Sequence, residues 1–301
     1  MNTVNNSSLL LPFTKMQGLG NDFVVLDFIN HPMNLSNAQF AQIADRRFGI
    51  GCDQILIVEA SDIADIDFRY RIHNADGSEV GQCGNGARCF VEFVRAKGLT
   101  DKTTISVATS SGTMTLHSLG NHQVRVNMGK VSFAPQDVPF IAEHTQDMYE
   151  LNIDATQRSS ETLPKTVSIA VANIGNPHAL LLVDDVATAP VEHLGPLVES
   201  HARFPERVNV SFMQIVSRQH VDLRVYERGS GETLACGSGA CAAVAMGQAL
   251  GHLDDNVTVN LPGGTLSITQ DQDDAILMTG PANFVFEGVY ELASNDKVIE
   301  K

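Results

Sequence analysis

The chain has 301 residues, 43% of them hydrophobic, and carries 35 acidic against 20 basic groups, a formal net charge of −15 at pH 7. That charge argues against nucleic acid or an anionic membrane as partner, and no stretch approaches the roughly 18 uninterrupted apolar residues of a membrane span. The length fits two domains of about 150 residues each. Five cysteines, an odd number without a Cys-x-x-Cys pair, fit free thiols in a reducing cytoplasm better than a disulfide framework.

Taken in chain order, the first ten or so residues lack the basic start and long apolar run of a secretory signal and are expected to be a disordered extension. Residues 23–28 and 54–58 are apolar runs of buried-strand length, and 68–73 alternate so that Phe68, Tyr70 and Ile72 share one face. After Gly86, the residues Ala87, Phe90, Val91 and Val94 recur at helical spacing up to a stop at Gly98. Strands are predicted over 104–108, 113–117 and 124–128, with a turn at Ser111-Gly112. Residues 135–166 are polar and irregular. The second half repeats the order. A strand over 221–226 precedes a helix after Gly239 that is apolar almost all round, the mark of a core helix. Strands over 257–261, 265–268 and 275–278 follow, and a last strand over 284–290 can return to the first domain.

Two near-copies of one motif, Cys83-Gly84-Asn85-Gly86-Ala87 and Cys236-Gly237-Ser238-Gly239-Ala240, stand 153 positions apart. The same offset carries Arg71 onto Arg224 and Glu79 onto Glu232. Gly20-Asn21 matches Gly175-Asn176 at an offset of 155, and Met128-Gly129 with Phe133 matches Thr279-Gly280 with Phe284 at 151. Offsets that drift so little mark an internal duplication. The expected fold is α+β, with two pseudo-symmetric domains, 1–127 plus 282–301 and 128–281. Each is a curved, barrel-like mixed or antiparallel sheet around a central helix.

Each motif cysteine stands just before a helix N-terminus, where backbone N–H groups and the helix dipole lower a thiol's pKa. Two such thiols suit a racemase or epimerase, one removing an α-proton and the other returning a proton to the opposite face. The backbone N–H groups of Gly84, Asn85 and Gly86, and of Gly237, Ser238 and Gly239, offer an anion site for the substrate carboxylate. Cys52, Cys89 and Cys241 read as packing residues. The Cys and His spacings match no metal-ligand pattern, so neither metal nor cofactor is expected.

The stretches Lys15-Met16-Gln17-Gly18-Leu19-Gly20-Asn21-Asp22-Phe23, Asn74-Ala75-Asp76-Gly77-Ser78-Glu79, Cys83 to Cys89, Gly175-Asn176-Pro177-His178, Phe204-Pro205-Glu206-Arg207-Val208-Asn209 and Glu227-Arg228-Gly229 closely resemble bacterial diaminopimelate epimerase. The likeness runs from about Phe13 to Tyr290. It implies a cofactor-independent isomerase that interconverts LL- and meso-2,6-diaminopimelate for lysine and peptidoglycan synthesis, with its active site in a cleft between two domains. By the same resemblance, Cys83 and Cys236 are the acid/base pair, with His178 and Glu227 important for catalysis beside them. Gly84-Asn85 and Gly237-Ser238 cradle the reacting carboxylate, and Asn21, Gln54, Asn74, Asn176, Asn209, Glu227 and Arg228 bind substrate. Arg228 suits a bidentate grip on the distal carboxylate.

Two positions depart from the family pattern. Gln17 stands where His is frequent, and Phe286 stands where some members have a Tyr associated with dimerisation, which leaves a homodimer possible but one of its hydrogen bonds missing. The competing readings are a proline or hydroxyproline racemase-like enzyme, a phenazine-type isomerase with one acid/base group, and a non-catalytic thiol redox sensor or ligand binder.

Overall fold

Strands with apolar residues at every position need cover on both faces, and the first half of the chain supplies it. The computed structural model describes residues 9–81, 83–153 and 163–292; the expected N-terminal extension lies, up to residue 8, outside them. Its last residues belong to structure, because β1 (Leu9–Gly18) starts at Leu9 and pairs antiparallel with β2 (Asn21–Asp27). Leu19 and Gly20 make the turn at positive φ, and the Gly20 N–H donates to Gln17 Oε1 at 3.0 Å, so glutamine serves the turn here. Then come α1 (Asn37–Ala44), opened by a reciprocal Ser36/Gln39 capping box, and β3 (Gln54–Ala60). β4 (Phe68–Asn74), β5 (Glu79–Val80), α2 (Gly84–Ala96), β6 (Thr104–Thr109), β7 (Gly112–Gly120) and β8 (Gln123–Lys130) complete this stretch.

β2 and β3 run parallel, β4 antiparallel to β3, and β6 parallel to β4. Val24, Leu26, Ile55 and Ile57 join Phe40 and Ile43 of α1 in one core. A Cβ added at Gly86 would meet Leu56 and Phe23, so the alternate side chains lie under α2. Two helices thus sandwich one pair of strands, and each fully buried Leu, Ile or Phe there contributes roughly 1.5–3 kcal/mol.

The chain forms two compact units, one holding the described residues through Val124 and those from Pro281 on, the other Arg125–Gly280. In the second unit, β9 (Tyr149–Asn152), β10 (Thr166–Asn173), β11 (Pro177–Leu182), α3 (Val191–Glu199), β12 (Asn209–Ser217), β13 (His220–Glu227) and β14 (Gly231–Thr233) lead to α4 (Gly237–Ala249). β15 (Asn256–Leu261), β16 (Gly264–Gln270) and β17 (Ala275–Pro281) follow. The pairings repeat those of the first unit: β11 parallel to β12, β12 antiparallel to β13, β13 parallel to β15. α2 packs on β1, β2, β3 and β7, and α4 on β10, β11, β12 and β16, so each helix is wrapped by its own sheet.

Residues 135–166, read as irregular, supply β9 and bury Val138, Phe140, Tyr149 and Leu151 in the second core, while 154–162 lie outside the described residues. The duplicated arginines and glutamates are ion pairs. Arg71 Nη2 lies 3.1 Å from Glu79 Oε2 and Arg224 Nε 2.6 Å from Glu232 Oε1, each tying a strand to the hairpin that precedes a motif cysteine. The last strand, β18 (Asn283–Leu292), returns to the first unit and pairs antiparallel with β1, from Leu9↔Leu292 to Gln17↔Asn283. Among the described residues no helix is long and apolar enough to cross a membrane.

Candidate active site

In the first unit, the site residues collect where β2 and β3 begin, β4 ends and α2 starts. Asn21 and Gln54 are the first residues of β2 and β3, and Asn74 is the last of β4. Gln54 Nε2 donates to Asn74 Oδ1 at 2.9 Å, and Asn74 Nδ2 donates to Ser78 Oγ at 3.3 Å. Cys83 is the N-cap of α2 in extended conformation and accepts the Gly86 N–H on Sγ at 3.3 Å. The Gly86 N–H therefore serves the thiol. The Cys83 thiol in turn faces Asn21 Oδ1 at 3.9 Å.

The second unit repeats this arrangement with different side chains. The offset of 155 carries Asn21 onto Asn176, Phe23 onto His178 and Gln54 onto Asn209, and the strand registers Phe23↔Gln54 and His178↔Asn209 agree. The offset of 153 carries Asn74 onto Glu227 and Ala75 onto Arg228. Every charged or imidazole member of the expected set thus sits in the second unit, and its equivalent by sequence offset in the first is neutral or apolar.

His178 is fully buried, and its Nε2 meets Asn176 Oδ1 at 2.9 Å. Burial, with the Arg228 charge adding to it, pulls its pKa down to about 3, so the imidazole is neutral near pH 7. Its Nδ1 is buried without a hydrogen-bond partner among the described residues. Asn209 is buried and engaged at both ends: Nδ2 donates to the Pro177 carbonyl and Oδ1 accepts the Arg228 N–H, both at 3.0 Å. It shapes the backbone under Arg228. The Arg228 side chain is exposed, with Nη1 donating to the Glu206 carbonyl at 3.0 Å.

Cys236 corrects an expectation. It caps α4 as the sequence implies, but the thiol's pKa is raised well above its ordinary value, not lowered. Burial is the main cause, followed by the charge and hydrogen bond of Glu227; hydrogen bonds from Ser238 and Gly239 oppose both without prevailing. Thr233 Oγ1 donates to Glu227 Oε1 at 2.6 Å and holds that carboxylate in place. Cys236 is therefore stored as a thiol.

Sequence reasoning missed three supporting residues. Thr233 is one. Glu199, buried at the end of α3, accepts the Gly229 N–H at 2.8 Å and steadies the turn behind Arg228. Asp53 accepts from Asn21 Nδ2 at 2.8 Å. Cys89 and Cys241 are buried inside α2 and α4, and Cys52 lies in the α1 core, where burial lifts its pKa to about 12. Among the described residues, no group of three or more His, Cys, Asp or Glu is placed to hold a metal ion.

Two pseudo-symmetric units, each offering a thiol at a helix start flanked by strand-end amides, define the class: the α+β fold of racemase- and epimerase-like structures. A hydroxyproline epimerase from Agrobacterium vitis, solved with trans-4-hydroxy-L-proline bound, superimposes with a TM-score of 0.67 at 13% identity, covering 96% of this chain and 93% of that one. A phenazine biosynthesis protein of Bacillus anthracis has a TM-score of 0.64 at 14% identity over 94% of this chain and 100% of its own. At such identities the likeness speaks to fold alone. Sequence narrows it further. The family model for diaminopimelate epimerase matches residues 13–134 and 170–285. The diaminopimelate epimerases of Teredinibacter turnerae and Thioalkalivibrio sulfidiphilus are 52% and 53% identical over 94% of this chain and 99% of their own lengths. The chain belongs to the diaminopimelate epimerase family, and is an isomerase.

Proposed function

We propose that this chain interconverts LL- and meso-2,6-diaminopimelate by a two-thiol mechanism, with Cys83 and Cys236 as its acid/base pair. The observation that carries the reading is the pair of thiols, each capping a helix start at equivalent places in a duplicated topology. One thiol, as thiolate, takes the α-proton; the other delivers its S–H proton to the opposite face of the same carbon, and the roles exchange in the reverse reaction. Cys236, stored protonated, is ready as the acid in one direction, and Cys83 serves as the acid in the other.

Charge that develops on the reacting carboxylate is received by the helix-start N–H groups of Gly84-Asn85 and Gly237-Ser238. Arg228 has an exposed guanidinium for the distal carboxylate. Gln54, Asn74 and Asn176 supply amides around the substrate, Asn209 shapes the backbone that carries Arg228 beside it, and His178 Nδ1 supplies an acceptor without a partner among the described residues. A lone carboxylate substrate such as proline offers Arg228 nothing. The free thiols require a reducing compartment, and we place the enzyme in the cytoplasm, without a cofactor.

A second copy of the chain is the proposed partner. On β18, Val285 (55%) and Val289 (62%) are exposed on the same face as Leu10 of β1 (62%), and Phe286 (49%) is exposed on the other, where it packs against Phe13; these apolar residues suit a self-complementary homodimer interface. Sedimentation at micromolar concentration reads this directly.

The test of the mechanism is exchange of the substrate α-hydrogen in deuterium oxide, with diaminopimelate, proline and trans-4-hydroxyproline offered separately. Exchange and epimerisation are expected with diaminopimelate alone, and both Cys83→Ala and Cys236→Ala should lose epimerisation with the fold intact. Normal epimerisation by Cys83→Ala would sink the two-thiol mechanism.

A further inference from the structure

The side chain of Asn21 sits between two groups that leave its amide one orientation. On one side is Asp53, whose carboxylate only accepts hydrogen bonds: Oδ2 takes Asn21 Nδ2 at 2.8 Å and the Asp22 N–H at 3.1 Å. On the other is Asn85, whose Oδ1 is occupied by Arg88 Nη1 at 3.0 Å. A guanidinium only donates, so Asn85 must turn its Nδ2 outward, where it meets Asn21 Oδ1 at 3.4 Å. The chain Asp53–Asn21–Asn85–Arg88 therefore has an acceptor-only end and a donor-only end, and both amides between them are set.

We propose that Asp53 is a positioning residue, which through this chain turns the carbonyl oxygen of Asn21, rather than its NH2, onto the Cys83 thiol. The inference rests on the reading of Cys83 as a catalytic thiol. A carbonyl at this place receives the S–H proton and leaves the sulfur lone pairs to the Gly86 N–H. The opposite amide orientation would aim a donor at sulfur and favour the thiolate. Asp53 is itself fixed. Arg46 Nη2 bridges Asp53 Oδ1 at 2.7 Å and Asp22 Oδ1 at 2.6 Å, and Lys15 Nζ reaches Asp22 Oδ2 at 2.6 Å. Lys15 from β1, Asp22 from β2 and Arg46 from beyond α1 are thus the charges around Asp53. Two cations, Lys15 and Arg46, offset the two carboxylates, and the Arg46 bridge holds the Asp53 carboxylate against Asn21.

The role is separable from fold because it acts through Asn21 on Cys83. In a Cys236→Ala background, iodoacetamide alkylation of Cys83, followed by peptide mass spectrometry across pH 6–9, reads the thiol without requiring turnover. Asp53→Ala is expected to accelerate alkylation at pH 7 at least threefold and to move the rise in rate to lower pH. Asp53→Asn, which keeps a carbonyl acceptor, should fall between wild type and Ala. In the otherwise native enzyme, Asp53→Ala should lower kcat/KM about tenfold, but less than twofold when Asn21→Ala is already present. Unchanged alkylation, or equal losses in the two backgrounds, would overturn the proposal. If the Asp53 variants do not fold, 15N-labelled wild-type enzyme decides: the Asn21 side-chain amide should exchange far more slowly than that of exposed Asn121, and equal exchange would refute the lock. Should alkylation respond as expected while Cys83→Ala still epimerises, the lock stands and the two-thiol reading falls.

Discussion

Among single residues, the buried imidazole of His178 gives the expectation most directly tested. His178 has its pKa pulled from 6.5 to about 3 by burial and the Arg228 charge. The unfolded chain therefore binds a proton between those values that the folded chain refuses. Stability from this group is full above pH 6.5 and falls as pH drops toward 3, by about 2–3 kcal/mol between pH 7 and 4.5. Urea unfolding of wild type and His178→Asn at both pH values should show the larger loss in wild type; equal losses would mean that His178 is protonated at little cost. Asp22, whose carboxyl is held low by hydrogen bonds and charge from Arg46 and Lys15 against its burial, also loses stability on acidification. It does so in both proteins, so the difference isolates the histidine. The same neutrality means that the acid limb of the rate profile belongs to a group other than His178.

At the scale of elements, what decides the site is how closely each helix start approaches the sheet beneath it. A Cβ at Gly86 would lie 2.4 Å from the Tyr70 hydroxyl and 3.0 Å from Leu56 Cδ2, both buried. Alanine gains about 1 kcal/mol of helix propensity over glycine, whereas overpacking costs about 1–3 kcal/mol. Gly86→Ala should therefore destabilise the protein by up to about 2 kcal/mol, read as a lower urea midpoint. At Gly239 the added carbon meets Cys236 Cβ and Sγ at 3.2 Å. Gly239→Ala should leave the midpoint nearly unchanged and lower kcat, because the atom displaced is the thiol. The same scale explains what could be read in advance. Alternation in β4 and the cysteine-led helices were legible because local period and caps decide them. α1 carried a capping signal at Ser36 and Gln39 but is too short for its periodicity to stand out. β1 was read in part as a tail because its partner, β18, lies at the far end of the sequence. The direction of the Cys236 shift was not legible: the helix end is local, while the depth of burial and the approach of Glu227 are products of the fold. Asp53 gave no signal, since only the finished fold brings it against Asn21.

Across the whole molecule, the duplication is faithful in topology and unequal in chemistry. Position for position, Phe23, Asn74 and Ala75 answer His178, Glu227 and Arg228. A substrate with a second charged end needs such inequality, because two identical halves would read both ends alike. Arg228→Ala, which restores the side chain of its counterpart, should cost about 3 kcal/mol in kcat/KM for diaminopimelate, on the order of a hundredfold. A change of only a few-fold in steady-state assays would remove Arg228 as the distal clamp. The pairing of β18 with β1 has a further consequence, for synthesis on the ribosome. Residues 125–280 are continuous, so the second unit can fold as soon as they have emerged. The first unit, though translated earlier, lacks a strand until residue 292 is out, and β1 waits with one edge unpaired. The half of the enzyme made first is thus the half finished last, and the nascent chain must keep that open edge from other partners throughout the interval.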